Sequence, residues 1–267
     1  MTGADESGPV LLDRKDGVLL ITLNRPPANA INLSLSHEVA AALTVLQSDE
    51  ELFAGIITAN GDRIFSAGWD LKEASREETS SSTDWGPGGF AGITEFFDLK
   101  KPVIAAVNGA AVGGGFEIAL ACDLIVASEG AFFALPEMAI CTLPIAGGLQ
   151  RLPKKLPQNI AFEMLLTGRR MAADEGARWG LVNRVVPRGR LLDEAEALAR
   201  SFADHSPVAI HALKEALRAM DGRSVEEAFD IAAANRLPHR KRMLASPDRL
   251  EGPRAFSEKR KPAWRAR

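Results

Sequence analysis

The stretch from Asn108 to Glu137, NGAAVGGGFEIALACDLIVASEGAFFALPE, constrains this chain more than any other. Three consecutive glycines, Gly113, Gly114 and Gly115, follow an Asn-Gly turn and run straight into an apolar segment of helical character. Glycine removes the side chain where backbone must come close to something. Free N–H groups at the start of a helix sit at the positive end of its dipole, which suits a phosphate or a developing oxyanion. Tight packing of helix against strand is the other use of such glycines. The loop has no Lys-Ser/Thr pair, so it is not a Walker P-loop, and it lacks the GxGxxG spacing of a dinucleotide fold.

Two carboxylates belong to the same stretch. Glu117 lies in the first turn of the helix among Phe116, Ile118, Ala119 and Leu120, where an acid also serves as a dipole partner. Glu137 has apolar residues on both sides, Phe132 to Pro136 and Met138 to Ile140. Burial there raises a carboxylate's pKa and leaves it able to donate as well as accept a proton. Two acids in apolar settings beside oxyanion donors form an acid–base pair that can add or remove water.

The rest of the chain is read around this core. Val18–Leu23, Phe53–Thr58, Pro102–Val107, Leu124–Ala127 and Val182–Val186 have strand composition. Helical spacing marks His37–Gln47 with Ser36 as its N-cap, Ile93–Leu99, Glu117–Cys122, Asn159–Leu166 ending at Gly168, and Asp174–Trp179. Residues 75–89 have the acid-, Ser- and Gly-rich composition of a mobile loop. Beyond them Leu191–Ala203, Pro207–Met220 and Ser224–Ala233 are helical, with apolar faces too large to be buried in one another. The expected organisation is a flexible leader (1–9), an α/β core (10–200) and a helical C-terminal region (201–267).

The net charge of −3 over 267 residues gives no reason to expect nucleic acid. Two cysteines, Cys122 and Cys141, cannot build a disulfide framework, and the acidic, polar start is not that of a signal peptide. No apolar run approaches the roughly 20 residues that span a bilayer. A soluble cytoplasmic protein is expected. The four histidines, His37, His205, His211 and His239, fit amphipathic or surface positions and show no metal-ligand spacing; nothing marks Cys141 as a thiolate nucleophile.

The segments FSAGWDLK, AAVNGAAVGGGFEIALACD, FALPE, PIAGGLQRLP and LTGRRMAADEGARWGLVNRVV together resemble the enoyl-CoA hydratase/isomerase (crotonase) superfamily over residues 10 to 267. The resemblance implies a crotonase-like α/β (α+β) spiral of ββα repeats with a C-terminal helical trimerisation region, assembled as a homotrimer or a dimer of trimers. It implies an acyl-CoA thioester substrate, with coenzyme A part of that substrate and no metal or other cofactor. The oxyanion hole would be the backbone N–H groups of Trp69 and Gly114. Glu117 would deprotonate the water that attacks the β-carbon, and Glu137 would protonate the α-carbon. Coenzyme A contacts would fall to Arg25, Ala28, Ala67, Gly68, Asp70, Leu71, Phe256 and Lys259.

The acyl pocket implied by the resemblance is lined by Trp85, Phe90, Phe116, Cys141 and Ile145. The tract GPGGFAG and the ending EGPRAFSEKRKPAW resemble a dehydratase subgroup whose acyl group carries a trimethylammonium. That subgroup has an acid where this chain has Ile145, which puts such a substrate in doubt; Trp69, Trp85, Phe90 and Phe116 offer a cation–π wall instead. Alternatives are a Δ3,Δ2-enoyl-CoA isomerase using Glu137 alone, and a non-catalytic acyl-CoA-binding or RNA-binding relative.

Overall fold

The computed structural model describes residues 8–266 apart from 77, 81 and 235. The expected flexible leader falls mostly on residues 1–7, outside the described residues. Its last two residues are tied down, because Asn24 donates its backbone N–H to Pro9 and its side-chain amide to Gly8.

The described strands are Val10–Lys15 (β1), Val18–Leu23 (β2), Ala54–Ala59 (β3), Ile64–Ser66 (β4), Val103–Val107 (β5), Ala110–Val112 (β6), Leu124–Ser128 (β7), Phe132–Ala134 (β8), Met171–Ala172 (β9) and Arg184–Val186 (β10). One sheet runs β1-β2-β3-β5-β7-β10 and the other β4-β6-β8-β9. Only β1–β2 and β8–β9 are antiparallel among these pairings. The successive pairs β3/β4, β5/β6 and β7/β8 each place their first strand in the large sheet and their second in the small one. That alternation is the spiral of ββα repeats.

The helices are Leu33–Ser48 (α1), Leu71–Ala74 (α2), Gly114–Ala121 (α3), Gly148–Lys155 (α4), Gln158–Thr167 (α5) and Ala173–Arg178 (α6) in the spiral. Leu191–Ser201 (α7), Pro207–Met220 (α8), Val225–Ala233 (α9), Pro238–Ala245 (α10) and Asp248–Ser257 (α11) follow. Both β3 and β5 are buried at every residue, the mark of parallel strands covered on two faces. The period-2 alternation decides which cover each side chain meets. Ile57 and Ala105 join Leu35, Leu43 and Leu46 of α1, whereas Ile56 and Ile104 join Leu191, Ala195 and Ala199 of α7.

Two local expectations are corrected. The helix α1 begins at Leu33 with Asn32 as N-cap, its side chain accepting from Leu35 N–H. Ser36 is inside the helix, donating to Asn32 O and accepting from Ala91 N–H. Residues 93–99 form no helix. A 3₁₀ turn at Phe90–Gly92 with positive φ at Gly89, Ala91 and Gly92 breaks the right-handed path. That turn is pressed on α1, where a Cβ on Gly92 would lie 2.2 Å from Ser36 O.

Elsewhere the periodic segments end close to where their patterns end. Gly168 at φ 63° terminates α5, and Ser224 caps α9 in a reciprocal capping box with Glu227. Among the described residues no helix is long and apolar enough to cross a membrane. His211 lies with Val208 and Ala212 on the buried face of α8, its ring 6.0 Å from that of His239.

Candidate active site

Two backbone segments meet at the glycine stretch. The bridge between Ile31 and Trp69 is parallel, so Ile31 N–H donates to Gly68 O and Asp70 N–H to Ile31 O. That pattern leaves the N–H of Trp69 facing the other way. Gly68 sits at φ 86°, and a Cβ there would lie 2.8 Å from both Gly114 N and Val112 O. The turn therefore closes onto the start of α3 only because residue 68 has no side chain.

The helix α3 starts three residues earlier than its apolar pattern predicts. Gly113, at φ 54°, is its N-cap, and Phe116 and Glu117 donate their N–H groups to Gly113 O. The N–H of Gly114 thus has no acceptor within the helix. Two backbone donors, Trp69 and Gly114, line one cavity without an acceptor of their own among the described residues. The packing use of the glycines is present too: a Cβ on Gly115 would lie 2.3 Å from Ser66 O.

One turn into α3, Glu117 is 4% exposed. Its Oε1 accepts the N–H of Gly148, the first residue of α4, at 2.9 Å. Burial pushes its pKa up to about 7; the Gly148 hydrogen bond pulls the other way, and the charge of Glu137 pushes further up. Glu137 opens the 3₁₀ turn Glu137–Ile140 that follows β8. It is half-buried, and burial raises its pKa as well. Its Oε1 lies against Gly113, where a Cβ would be 3.1 Å away, and its Oε2 is buried with no partner among the described residues. A buried, unpartnered carboxylate oxygen calls for something to hold.

These groups share a cavity of about 440 Å³, of the size that takes a small organic ligand. Of the residues singled out in the sequence, Ala67, Trp69, Leu71, Trp85, Phe90 and Ile145 line it together with Gly114, Glu117 and Glu137. A larger cleft of about 1120 Å³ runs behind Arg151 between the spiral and α8, but it holds neither glutamate nor either free amide.

Several expected site residues stand elsewhere. Phe116 is fully buried in the core, its ring 5.0 Å from Phe133, and does not line this cavity. Successive helix residues point about 100° apart, so a helix that turns Glu117 toward the cavity turns Phe116 away. Cys141 is exposed in a left-handed conformation beside the cavity, not in its wall. Arg25 is held by Asp70 at 3.1 Å and Glu73 at 3.6 Å and donates to Ala30 O, bracing the turn that carries Trp69. Asp70 also caps α2; burial pulls its pKa up, but Arg25 and the amides of Lys72 and Glu73 outweigh this and hold it below the ordinary range. Ala28 accepts the N–H of Ala67. Phe256 is 87% exposed on α11, and neither it nor Lys259 reaches the cavity.

Reading the sequence missed Glu95, a third acid in the cavity wall, and Thr79, whose Oγ1 accepts from Trp69 Nε1 at 2.9 Å. Among the described residues no group of three His, Cys, Asp or Glu side chains could hold a metal ion.

The enoyl-CoA hydratase/isomerase family profile matches residues 13–267. The chain belongs to that family. A carnitinyl-CoA dehydratase of Salmonella paratyphi A is 52% identical over 256 residues, covering 96% of this chain and 98% of its own. One from Salmonella typhi matches to the same extent. Among solved structures, an enoyl-CoA hydratase from Mycobacterium tuberculosis superposes with a TM-score of 0.88 at 37% identity, over 98% of this chain and 100% of that one. An enoyl-CoA hydratase from Bacillus anthracis gives 0.84 at 33% identity, over 97% and 100%. This family member is an acyl-CoA hydratase/dehydratase, a hydro-lyase.

Proposed function

We propose that Glu117 and Glu137 run the hydro-lyase reaction between them, with the thioester oxygen held by the N–H groups of Trp69 and Gly114. In the hydration direction a water bound by Glu117 gives up its proton to that carboxylate and attacks the β-carbon of the 2-enoyl thioester. The electron pair of the double bond moves toward the carbonyl, and the resulting enolate oxygen takes both backbone donors. Glu137 then delivers a proton to the α-carbon. Dehydration retraces the same steps. Each missing donor at such a hole costs on the order of 10²–10³ in rate.

The observation that carries this reading is the convergence of two carboxylates with raised pKa values on one cavity with two unpaired amides. An isomerase needs Glu137 alone, and nothing in that reading uses the buried, Gly148-bonded Glu117. For the acyl group we propose the one named in the Salmonella relatives, a carnitinyl thioester, which bears a hydroxyl on its β-carbon and a trimethylammonium on the next carbon.

The thioester and one water are the non-protein reactants of this scheme, which uses no separate cofactor. A homotrimeric or hexameric assembly is supported by the exposed apolar residues of the C-terminal helices, among them Leu213, Leu217, Val225 and Phe229; a monomer mass in sedimentation would remove it. The helical region 201–267 is proposed as the assembling part. Free Cys122 and Cys141 support a reducing, cytoplasmic setting.

The test follows enoyl-thioester absorbance with crotonyl-CoA and with its 4-trimethylammonio derivative. Loss of absorbance in the wild type and its collapse in both Glu117→Gln and Glu137→Gln is the expected result. Retention of activity in either variant would remove that glutamate from the scheme.

A further inference from the structure

The charged side chains that line the acyl cavity are Glu95, Glu117 and Glu137, and among the described residues no Lys, Arg or His joins them. Two of the three are occupied with proton transfer in the scheme above. Glu95 is not. It lies between the aromatic wall and Ile145, exposed, and makes no ion pair among the described residues. Arg151 feels the charge of Glu95 but forms no ion pair with it, and donates to the backbone oxygens of Thr94 at 2.6 Å and Ala146 at 3.5 Å.

The placement of Glu95 is built into the turn that shapes the cavity. Its backbone N–H donates to Gly88 O at 2.9 Å. Its side-chain stem lies along Gly89, where a Cβ would meet Glu95 Cβ, Cγ and Cδ at 2.8 Å. The same turn sets Phe90 over the oxyanion donor, since a Cβ on Gly114 would lie 2.3 Å from Phe90 Cε1. Trp85 stands edge-to-face on Phe90 with centroids 4.8 Å apart. One short segment thus brings an unpaired carboxylate and two aromatic rings to one wall.

A quaternary ammonium has no N–H to donate, so a protein can recognise it only by charge, by aromatic faces and by apolar contact with its methyl groups. The wall formed by Glu95, Trp85, Phe90 and Ile145 offers all three. We infer that Glu95, together with the Trp85 and Phe90 rings, selects acyl groups that end in a quaternary ammonium. The inference rests on the acyl group proposed above. It also answers the missing acid at position 145: the negative charge reaches the cavity from the 86–95 segment, and Ile145 meets methyl groups.

The experiment compares kcat/KM for two substrates of one shape, 4-trimethylammoniocrotonyl-CoA and the neutral 5,5-dimethylhex-2-enoyl-CoA, in the wild type, Glu95→Gln and Glu95→Asp. Removing the charge lowers kcat/KM for the cationic substrate by about tenfold while the neutral one stays within about twofold. Glu95→Asp keeps part of the preference for the cation. Equal losses on both substrates would make Glu95 a packing residue and overturn the inference, as would no loss on either. A wild type that hydrates crotonyl-CoA and the neutral isostere but rejects the cation would overturn the proposed acyl group and leave the hydro-lyase chemistry standing. A wild type that hydrates none of the three would remove the chemistry itself.

Discussion

Gly148 holds Glu117 from behind: its backbone N–H, the first of α4, reaches Glu117 Oε1 at 2.9 Å across the 4%-exposed interior. The Ala146 backbone adds a second hydrogen bond to the same carboxylate, which lines the cavity. Both bonds favour the ionised form, yet burial wins and the pKa rests at about 7. A group poised there suits proton transfer near neutrality.

The sign of the pH dependence follows. Glu117 binds its proton more tightly folded, at about 7, than unfolded, near the ordinary 4.5. Its contribution to stability is therefore fully present below pH 4.5 and is lost as pH rises through about 7. The difference between the two pKa values amounts to about 3 kcal/mol. Glu117→Gln cannot ionise and can still accept the Gly148 hydrogen bond. In urea unfolding the variant should gain on the wild type between pH 4.5 and 8 by an amount of this order. A gap that does not change with pH would show that Glu117 ionises with an ordinary pKa.

Gly68 is where the two arms of the proposed oxyanion hole touch. Its φ of 86° and the 2.8 Å approach of Gly114 N and Val112 O leave no room for a Cβ. Gly68→Ala must push the Trp69 turn away from α3 and separate the two amides. The expected effect is a fall in kcat of about 10²–10³-fold, the scale of losing one donor, with KM changed far less. Steady-state kinetics on crotonyl-CoA would settle it, and an unchanged kcat would place the oxyanion elsewhere.

The chemistry was more legible in the sequence than its walls were. The triple glycine and the two glutamates stand out locally, but read alone the glycines equally suit packing and Glu117 a dipole partner; their proposed roles came through the family resemblance. Glu95 gives no such sign: in ITEFFDLK it reads as one more surface acid, and only the turn around Gly88 and Gly89 folds it into the cavity. Phe116 was misplaced for the opposite reason, since an aromatic next to a proposed catalytic residue looks like pocket until the helical phase turns it to Phe133. The strands β4, β6, β8 and β9 are only two or three residues long, too short for any alternation to show. Of the helices that went unread, α2 is only four residues long, and proline or basic residues broke the pattern of the others: α4 carries Pro153, α11 carries Gly252 and Pro253, and α10 reads PHRKRMLA.

Thr79 links the segment read from composition as a mobile loop to the oxyanion turn, through its Oγ1 and Trp69 Nε1 at 2.9 Å. Thr79 is 4% exposed, and the same segment supplies Trp85, Ser80 and Thr83 to the cavity wall. Thr79→Val keeps the shape and removes the acceptor, leaving the indole N–H without its partner at a cost of about 1–3 kcal/mol. If the bond serves to hold the wall in place, KM for acyl-CoA rises severalfold while kcat stays near the wild-type value, because the Trp69 backbone is separately fixed by Ile31 on both sides. If kcat falls instead and KM is unchanged, the indole orients the Trp69 amide itself, and the segment is a brace for the oxyanion hole. Proteolysis of the two proteins separates these outcomes: only a loosened wall exposes residues 75–89 to faster cleavage.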